Sequence, residues 1–310
     1  MDSIALSQLF APSMVRAISE GTYRDRLMRI LSEAGVHPLD FLNLDELYAY
    51  AYKVLSKEGL RPDYYFRNKI IEKLVLGRHS LNTTTVLNEF RVRDSILDLG
   101  IVNGELIAYE IKSDRDSLFR LSSQFEDYRR FFRFINVVTA EKHVRTIKKE
   151  MPSHVGIIVL TKRGTLHIER RAEDQIAFND PVTMAASLRK AEVLEVIKRL
   201  GFEMEEVPNT LFHRIASSYF RAADPEELST CIRGTLRKSR DFSYLSSELD
   251  CFPIYSKSMA LCLLKTKVAR ENYLEAIRQP LFLEEACITH TYEENNSNLQ
   301  RFKRWQVEES

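Results

Sequence analysis

The sequence of 310 residues is poor in cysteine. Its four cysteines lie beyond residue 230, form no Cys-x-x-Cys pair and have no histidine at zinc-ligand spacing. Sparse thiols of this kind are typical of proteins in a reducing cytosol, where we expect ordinary buried thiols. The pattern argues against a disulfide-stapled secreted module and against a cysteine-based zinc site.

The chain also lacks long apolar runs. No stretch approaches the roughly 20 apolar residues that cross a bilayer. Residues 1–20 have neither the basic start nor the apolar core of a secretory signal. A phosphate-binding Walker A loop is also missing from the sequence, so any ATP-driven step needs a partner chain. We therefore expect a cytoplasmic protein with no membrane partner.

The charges are unevenly distributed along the chain. The net charge is only +1, yet the stretch from Arg61 to Arg171 carries 21 Lys and Arg against 14 Asp and Glu. The rest of the chain is acidic. A basic middle segment favours a polyanionic partner such as nucleic acid, although a solvated surface of mixed charge explains it equally well.

Hydrophobic periodicity predicts an α/β core between two helical regions. Helices are predicted over 14–34, 44–58, 63–76, 116–133, 141–149, 183–200, 209–221, 225–238, 255–268 and 270–278. Strands are predicted over 86–92, 96–102, 106–111, 134–139, 155–160 and 166–168. This order implies a mixed sheet with helices on both faces.

The predicted organisation has three parts. Residues 1–60 form an N-terminal helical segment, 61–180 the α/β core, and 181–310 a C-terminal helical domain. The polar tail, 292–310, is expected to fray.

Charged residues in two neighbouring predicted strands are the candidate functional residues of the α/β core. Asp98 lies in the second strand, and Glu110 and Lys112 end the third, in the only Glu-x-Lys tripeptide of the chain. The two-residue period of a strand places Glu110 and Lys112 on one face. Because that strand is apolar on both faces, it is central and buried. Charges there carry a large desolvation cost unless they meet a metal, a partner or a ligand.

Two carboxylates and a lysine suit phosphodiester hydrolysis. Mg²⁺ prefers carboxylate oxygens and keeps several waters. It polarises a phosphate and acidifies a bound water, and a neighbouring lysine can stabilise the charge that develops. An ordinary ion pair at a surface strand end is the alternative.

The hairpin between these strands tests the assignment. Asn103-Gly104 is a strong turn signal, but a simple two-residue loop pairs Asp98 with Tyr109 and turns it away from Glu110. The chemistry therefore requires a shift of one residue. We predict a three-residue loop, 102–104, with Gly104 left-handed, or another bulge in the hairpin.

The arrangement of Asp98, Glu110 and Lys112 on a hairpin, after a helix and before a helix and a strand, resembles the PD-(D/E)XK nuclease superfamily. The similarity covers about residues 62–171 and is to the RecB-like and MmcB-like bacterial branches. It implies a restriction-endonuclease-like fold and Mg²⁺-dependent DNA cleavage, with Mn²⁺ as a possible substitute. Leu97 departs from the family pattern, which often has proline before the aspartate.

Other residues match those branches. Glu89 corresponds to a glutamate on the preceding strand, and Gln124 and Tyr128 to a glutamine-tyrosine helix motif. The resemblance implies catalytic roles for Asp98, Glu110, Lys112, Glu89 and Gln124, a metal at Asp98, Glu110 and Ile111, and substrate contacts at Tyr128, Ser113, Arg115 and Arg120.

Simpler explanations exist for some of these matches. Glu89 could be a salt-bridged strand residue. Gln124, at the edge of an apolar helix stripe, could bridge that edge to solvent, whereas a buried glutamine needs a polar partner. Glu72, on the helix before the first strand, could reach the site as in some relatives.

Two functional hypotheses follow. The first is a Mg²⁺-dependent nuclease, expected to be an endodeoxyribonuclease, that acts on DNA in bacterial or phage genome defence, mobile-element maintenance or DNA repair. The second is a nucleic-acid-binding or protein-interaction module that keeps the fold without turnover. Either could act as a homo-oligomer or with a protein partner.

Overall fold

The structure is a computed structural model that describes residues 1–281. The predicted fraying tail, 292–310, and Cys287 lie outside the described residues. The described chain contains thirteen α-helices and six strands. The helices are α1 (Ser3–Ser7), α2 (Pro12–Ser19), α3 (Arg24–Ala34), α4 (Leu44–Leu55), α5 (Asp63–Ile70), α6 (Leu121–Tyr128), α7 (Val144–Glu150), α8 (Pro181–Ser187), α9 (Lys190–Arg199), α10 (Asn209–Ala222), α11 (Pro225–Ser239), α12 (Lys257–Cys262) and α13 (Lys267–Arg278).

The strands are β1 (Thr85–Val92), β2 (Ser95–Asn103), β3 (Glu105–Lys112), β4 (Phe134–Thr139), β5 (Gly156–Leu160) and β6 (Leu166–Arg170). A π-helical segment, Ile71–Leu76, continues α5. Short 3-10 turns occupy Gln8–Phe10, Pro38–Asp40, Glu141–His143, Ile176–Phe178, Ser243–Leu245, Glu248–Cys251 and Ile254–Ser256.

The described chain divides into two compact units, Leu55–Leu263 and Met1–Val54 with the described residues from Leu264 onward. These boundaries differ from the divisions predicted after residues 60 and 180. In the unit that begins at Met1, α13 packs against α2. The amide of Asn272 donates to the Ser19 carbonyl at 3.1 Å.

The larger unit is built on a mixed six-stranded sheet in the order β1-β2-β3-β4-β5-β6. The β3/β4 and β4/β5 pairs are parallel and the other three pairs are antiparallel. Helices α6, α8 and α11 contact β1, β2 or β3, and α5 also packs against β3. The α/β class, the mixed sheet with flanking helices and the helical regions before and after it are confirmed.

Several predicted helices have different limits in the structure. The predicted helix 14–34 is two helices, α2 and α3, with left-handed Gly21 between them. The prediction of one helix over 116–133 is wrong, since only α6 is helical there. The single helix predicted over 183–200 is divided into α8 and α9.

The β2/β3 register places Asp98 and Glu110 on one face. Leu99 pairs with Tyr109 and Asn103 with Glu105, so Asp98 lies across from Glu110. The predicted one-residue shift is confirmed, as is the left-handed Gly104 with a φ of 69°. The predicted loop 102–104 is wrong in position, because the turn is centred on Gly104 itself.

Gly104 should carry a measurable share of hairpin stability. An added Cβ meets no atom within 4 Å, so the cost of Gly104→Ala is the left-handed backbone alone. We expect a loss of about 1 kcal/mol in the free energy of unfolding, measured by urea denaturation. Gly104→Asn, which tolerates this conformation, should stay close to wild type. Equal losses in both variants contradict this explanation.

Two composition-based expectations can be compared with the described residues. Within residues 1–281, every helix is too short or too polar to cross a bilayer. Of the three described cysteines, Cys262 is buried, Cys231 is half-buried and Cys251 is exposed. The expectation of buried thiols therefore holds for Cys262 alone, and burial raises the pKa of its thiol to about 11.

Candidate active site

The predicted trio lies at one end of the sheet, in a cleft of about 780 Å³. Asp98 comes from β2, and Glu110 and Lys112 come from the end of β3. Gln124 of α6 also lines this cleft. The fold therefore brings together side chains that are up to 26 positions apart in the sequence.

Glu110 and Lys112 form a buried ion pair. Their exposed fractions are 2% and 8%, and Lys112 Nζ lies 2.7 Å from Glu110 Oε1. Removing two charges from water costs several kcal/mol for each ion, which their attraction only partly offsets. A buried pair is thus weak evidence for a role in stability.

Helix α6 completes the hydrogen bonds around this pair. Gln124 Oε1 accepts from Lys112 Nζ at 3.0 Å, and the Tyr128 hydroxyl lies 2.8 Å from Glu110 Oε2. Burial, followed by the charge of Glu110, raises the pKa of the Tyr128 phenol. Tyr128 therefore stays protonated and donates, so both oxygens of Glu110 have a donor.

Asp98 is a carboxyl group in an unfavourable place for a negative charge. Its Oδ2 accepts from the backbone N–H of Ile111 at 2.7 Å. Burial, followed by the nearby charges of Glu110 and Asp63, holds its pKa well above the ordinary value. A cation at this position would relieve the repulsion.

Two residues of α5 join the site without having been predicted. Asp63 lines the cleft, and Arg67 Nη2 lies 3.1 Å from Asp63 Oδ2 and 3.8 Å from Asp98 Oδ1. Arg67 thus supplies positive charge beside Asp98. The sequence signal was an Asp and an Arg four positions apart in the helix before β1, but periodicity does not fix how that helix rotates against the sheet.

Glu89 and Glu72 do not line the cleft that holds the trio. Glu89 is exposed and stands opposite Asp98 in the register, but its φ of 51° interrupts the pairing between β1 and β2. Strained residues of this kind cluster at functional sites. Glu72 pairs instead with Lys69 at 2.8 Å and with Lys73 at 2.7 Å.

The predicted substrate contacts have different environments. Ser113 is buried and its N–H donates to Asp116 Oδ2 at 2.7 Å. Arg115 donates to the Leu60 carbonyl at 2.9 Å. Ser113 and Arg115 do not line the cleft, whereas Arg120 does.

The cleft favours cations. Among the described residues, its lining includes Lys112, Arg120 and seven carboxylates, from Asp63, Asp94, Asp98, Glu110, Asp116, Glu126 and Asp127. Within residues 1–281, no group of three or more His, Cys, Asp or Glu has the geometry to hold a metal alone. Mg²⁺ needs fewer, since it is bound through one or two carboxylates and keeps waters. Asp98 and Glu110, which line the cleft together with Ile111, fit that requirement.

Comparisons with known proteins find similarity to a phage protein and, among solved structures, to a bacterial one. A family model described as Bacteriophage P4 protein cII matches residues 56–242. "Protein cII" of Enterobacteria phage P4 is 39% identical over 80 residues, which are 25% of this chain and 30% of that relative's length. Among solved structures, the SPO1766 protein of unknown function from Silicibacter pomeroyi is 12% identical over 45% of this chain and 73% of that one, with a TM-score of 0.25.

Proposed function

The chain belongs to the bacteriophage P4 protein cII family, and we propose that it is a Mg²⁺-dependent nuclease that hydrolyses phosphodiester bonds of DNA. The observation that carries the proposal is the placement of Asp98 across from Glu110, with Lys112 bound to Glu110 at 2.7 Å. Since the matched relative is covered over only 30% of its length, the activity rests on this site and on the resemblance to PD-(D/E)XK nucleases.

Each residue of the site has a distinct role in the proposal. Asp98, Glu110 and the backbone of Ile111 would hold Mg²⁺, or Mn²⁺ in its place, and the bound metal would supply polarisation of the phosphate and acidification of a water. Lys112 stabilises the negative charge that develops on the phosphate. Gln124 and Tyr128 hold Lys112 and Glu110 in place through hydrogen bonds of 3.0 and 2.8 Å.

The electrostatics of the cleft support a role for cations in DNA binding. An excess of carboxylates repels a phosphate backbone until cations neutralise it. The basic stretch from Arg61 to Arg171 supplies positive charge elsewhere in the same unit. DNA is therefore the proposed partner, and binding should depend on divalent cations.

One observation favours the second hypothesis, a module that binds without catalysing a reaction. Both oxygens of Glu110 already accept hydrogen bonds, from Lys112 and Tyr128. A carboxylate has about four lone-pair sites, so these contacts leave room for a cation. An inert module remains the alternative that the experiment must exclude.

The test is cleavage of supercoiled plasmid and of single-stranded circular DNA by the purified full chain. Mg²⁺ and Mn²⁺ should support cutting and EDTA should abolish it, and cutting of either circle establishes an endonuclease. Binding of DNA without cutting of circular or linear forms under any metal favours the inert module. If the protein neither cuts nor binds DNA, the proposal fails.

Asp98→Asn should separate the site's metal role from its stability. Because the folded pKa of Asp98 is raised above its ordinary 3.8, the folded protein binds this proton more tightly than the unfolded chain. Stability from this group is thus lost as pH rises from about 4 through the folded pKa. In EDTA, the variant should melt at a higher temperature than wild type, by a margin that grows as pH rises.

Mg²⁺ should reverse that order in the same melting experiment. A ligand that binds only the folded state raises its melting temperature, so Mg²⁺ should stabilise the wild type and leave Asp98→Asn unchanged. Equal Mg²⁺-induced shifts in the two proteins contradict metal binding at Asp98.

The biological setting follows by analogy with the resembled nucleases. We place the activity in the cytoplasm of an infected or element-bearing bacterium, in genome defence, mobile-element maintenance or DNA repair. A homo-oligomer or a protein partner that delivers DNA is compatible with the arrangement.

A further inference from the structure

Phe119 is an outlier on the protein surface. Its exposed fraction is 94%, whereas no other large hydrophobic residue among those described exceeds 66%. It lies in the segment between β3, which ends at Lys112, and α6, which carries Gln124. The ring is therefore attached to the polypeptide that joins two parts of the site.

The backbone that carries Phe119 is held on both sides. Its N–H donates to Ser117 Oγ at 3.3 Å, and the N–H of Leu121 donates to the Leu118 carbonyl at 2.9 Å. Leu118 packs against the hydrophobic core. Leu118 and Leu121 are thus anchored in the core, and the turn between them presents Phe119 to solvent.

The next residue, Arg120, is exposed and lines the cleft. In the part of the chain that the structure describes, its guanidinium has no hydrogen bond or ion pair, whereas Arg67, Arg129 and Arg133 are all paired. Consecutive residues thus carry an exposed aromatic ring and an unpaired guanidinium, and the guanidinium belongs to a cleft whose other lining is mainly acidic.

From this arrangement we infer that Phe119 and Arg120 bind one nucleotide beside the cleaved phosphate, and that the DNA is single-stranded there. Arg120 contacts the phosphate and Phe119 stacks on the base. In a duplex both faces of a base are covered by its neighbours, so a protein ring stacks there only at the cost of unstacking a base step, whereas an unpaired or terminal base offers a free face. The inference rests on the proposed nuclease function and adds the strandedness of its substrate.

The size of the effect follows from stacking and charge. Loss of one base–aromatic stack weakens single-strand binding by about tenfold to a hundredfold. Loss of one phosphate contact lowers the dependence of log affinity on log salt by about 0.7 for single strands. These two signatures distinguish Phe119 from Arg120.

The experiment measures binding of a short single-stranded oligonucleotide in which 2-aminopurine, whose fluorescence is quenched by stacking, replaces one adenine. The full chain is titrated in Ca²⁺, an oxygen-binding cation, against the strand and against its duplex. We expect tighter binding of the strand, a loss of about tenfold or more for Phe119→Ala on the strand alone, and retention by Phe119→Trp. Arg120→Gln should reduce the salt dependence, and Tyr244→Ala, at another exposed aromatic, should match wild type.

The outcomes separate this inference from the nuclease proposal. If Phe119→Ala binds and quenches the strand like wild type, or if wild type prefers the duplex, the inference is overturned while metal-dependent cleavage still stands. If wild type binds neither form and cuts no DNA, both are overturned.

Discussion

Lys112→Met is expected to slow metal-dependent DNA cleavage by about 10²–10³-fold, the cost of removing one preorganised group that stabilises developing charge. Methionine keeps the length and apolar stem of lysine, but it loses the ammonium that lies 2.7 Å from Glu110 and 3.0 Å from Gln124. The rate of plasmid nicking under single-turnover conditions is the measurement. Lys162→Met, at an exposed lysine, should cut DNA at the wild-type rate.

A double variant separates chemistry from folding. Lys112→Met alone leaves Glu110 buried without its counter-ion, which is destabilising. Glu110→Gln combined with Lys112→Met removes both charges and should recover stability while remaining inactive. Restored cleavage in the double variant would falsify the catalytic assignment, because it would show that the pair serves the fold alone.

Asp114→Ala is expected to cause the largest loss of stability, about 3–5 kcal/mol. Asp114 and Arg61 each have a side chain that is 1% exposed, and Asp114 Oδ2 lies 2.8 Å from Arg61 Nε. The same oxygen accepts from the backbone of Gly59 at 3.0 Å. Arg61 also donates to the carbonyls of Leu160 and Thr161, at 3.0 and 3.1 Å.

This cluster fixes the segment that follows Lys112, so its loss should be visible in thermal unfolding. A change of this size corresponds to a fall in Tm of roughly 6–20 °C. Glu58→Ala, which breaks the exposed Lys162–Glu58 pair, should leave Tm unchanged because surface pairs contribute little. Arg61→Met with Asp114→Leu should regain part of the loss, since no buried charge then lacks a partner but the carbonyls of Leu160 and Thr161 lose their donor. Equal melting temperatures for Asp114→Ala and Glu58→Ala contradict this explanation.

The strands were predictable because their signals are local. Alternation and the Asn103-Gly104 turn give β1, β2 and β3 within one residue of their observed limits, and Phe134–Thr139 matches β4. The face shared by Asp98 and Glu110 was predictable from chemistry rather than from turn propensity. The position of the loop was not predictable. A turn centred on Gly104 and a three-residue loop both place Asp98 and Glu110 on the same face of the sheet.

Helix limits near the site depend on tertiary contacts that periodicity does not contain. The stripe that predicted a helix over 116–133 continues past Tyr128, but the chain turns there and the N–H groups of Phe131 and Phe132 both donate to the Tyr128 carbonyl. This turn buries both phenylalanine rings in the core. At the other end, Asp116 accepts from the Ser113 N–H, which favours a loop before α6.

The site was only partly predictable for the same reason. Spacing within one strand identifies Glu110 and Lys112, and a helical motif identifies Gln124 and Tyr128. Asp63 and Arg67 approach Asp98 only because α5 packs with that face inward. No local pattern distinguishes them from Glu72, which follows in the same predicted helix. The carboxylate of Glu72 pairs instead with Lys69 and Lys73.

The central claim is that the carboxylates of Asp98 and Glu110 in this cleft support metal-dependent DNA cleavage. Its most direct test is the cleavage rate of single-stranded circular DNA by wild type and by Glu110→Gln, side by side in Mg²⁺ and in EDTA. We predict cleavage by wild type in Mg²⁺ alone and a rate at least about 10²-fold lower for the variant. Equal rates in the two proteins, or wild-type cleavage that persists in EDTA, would contradict it.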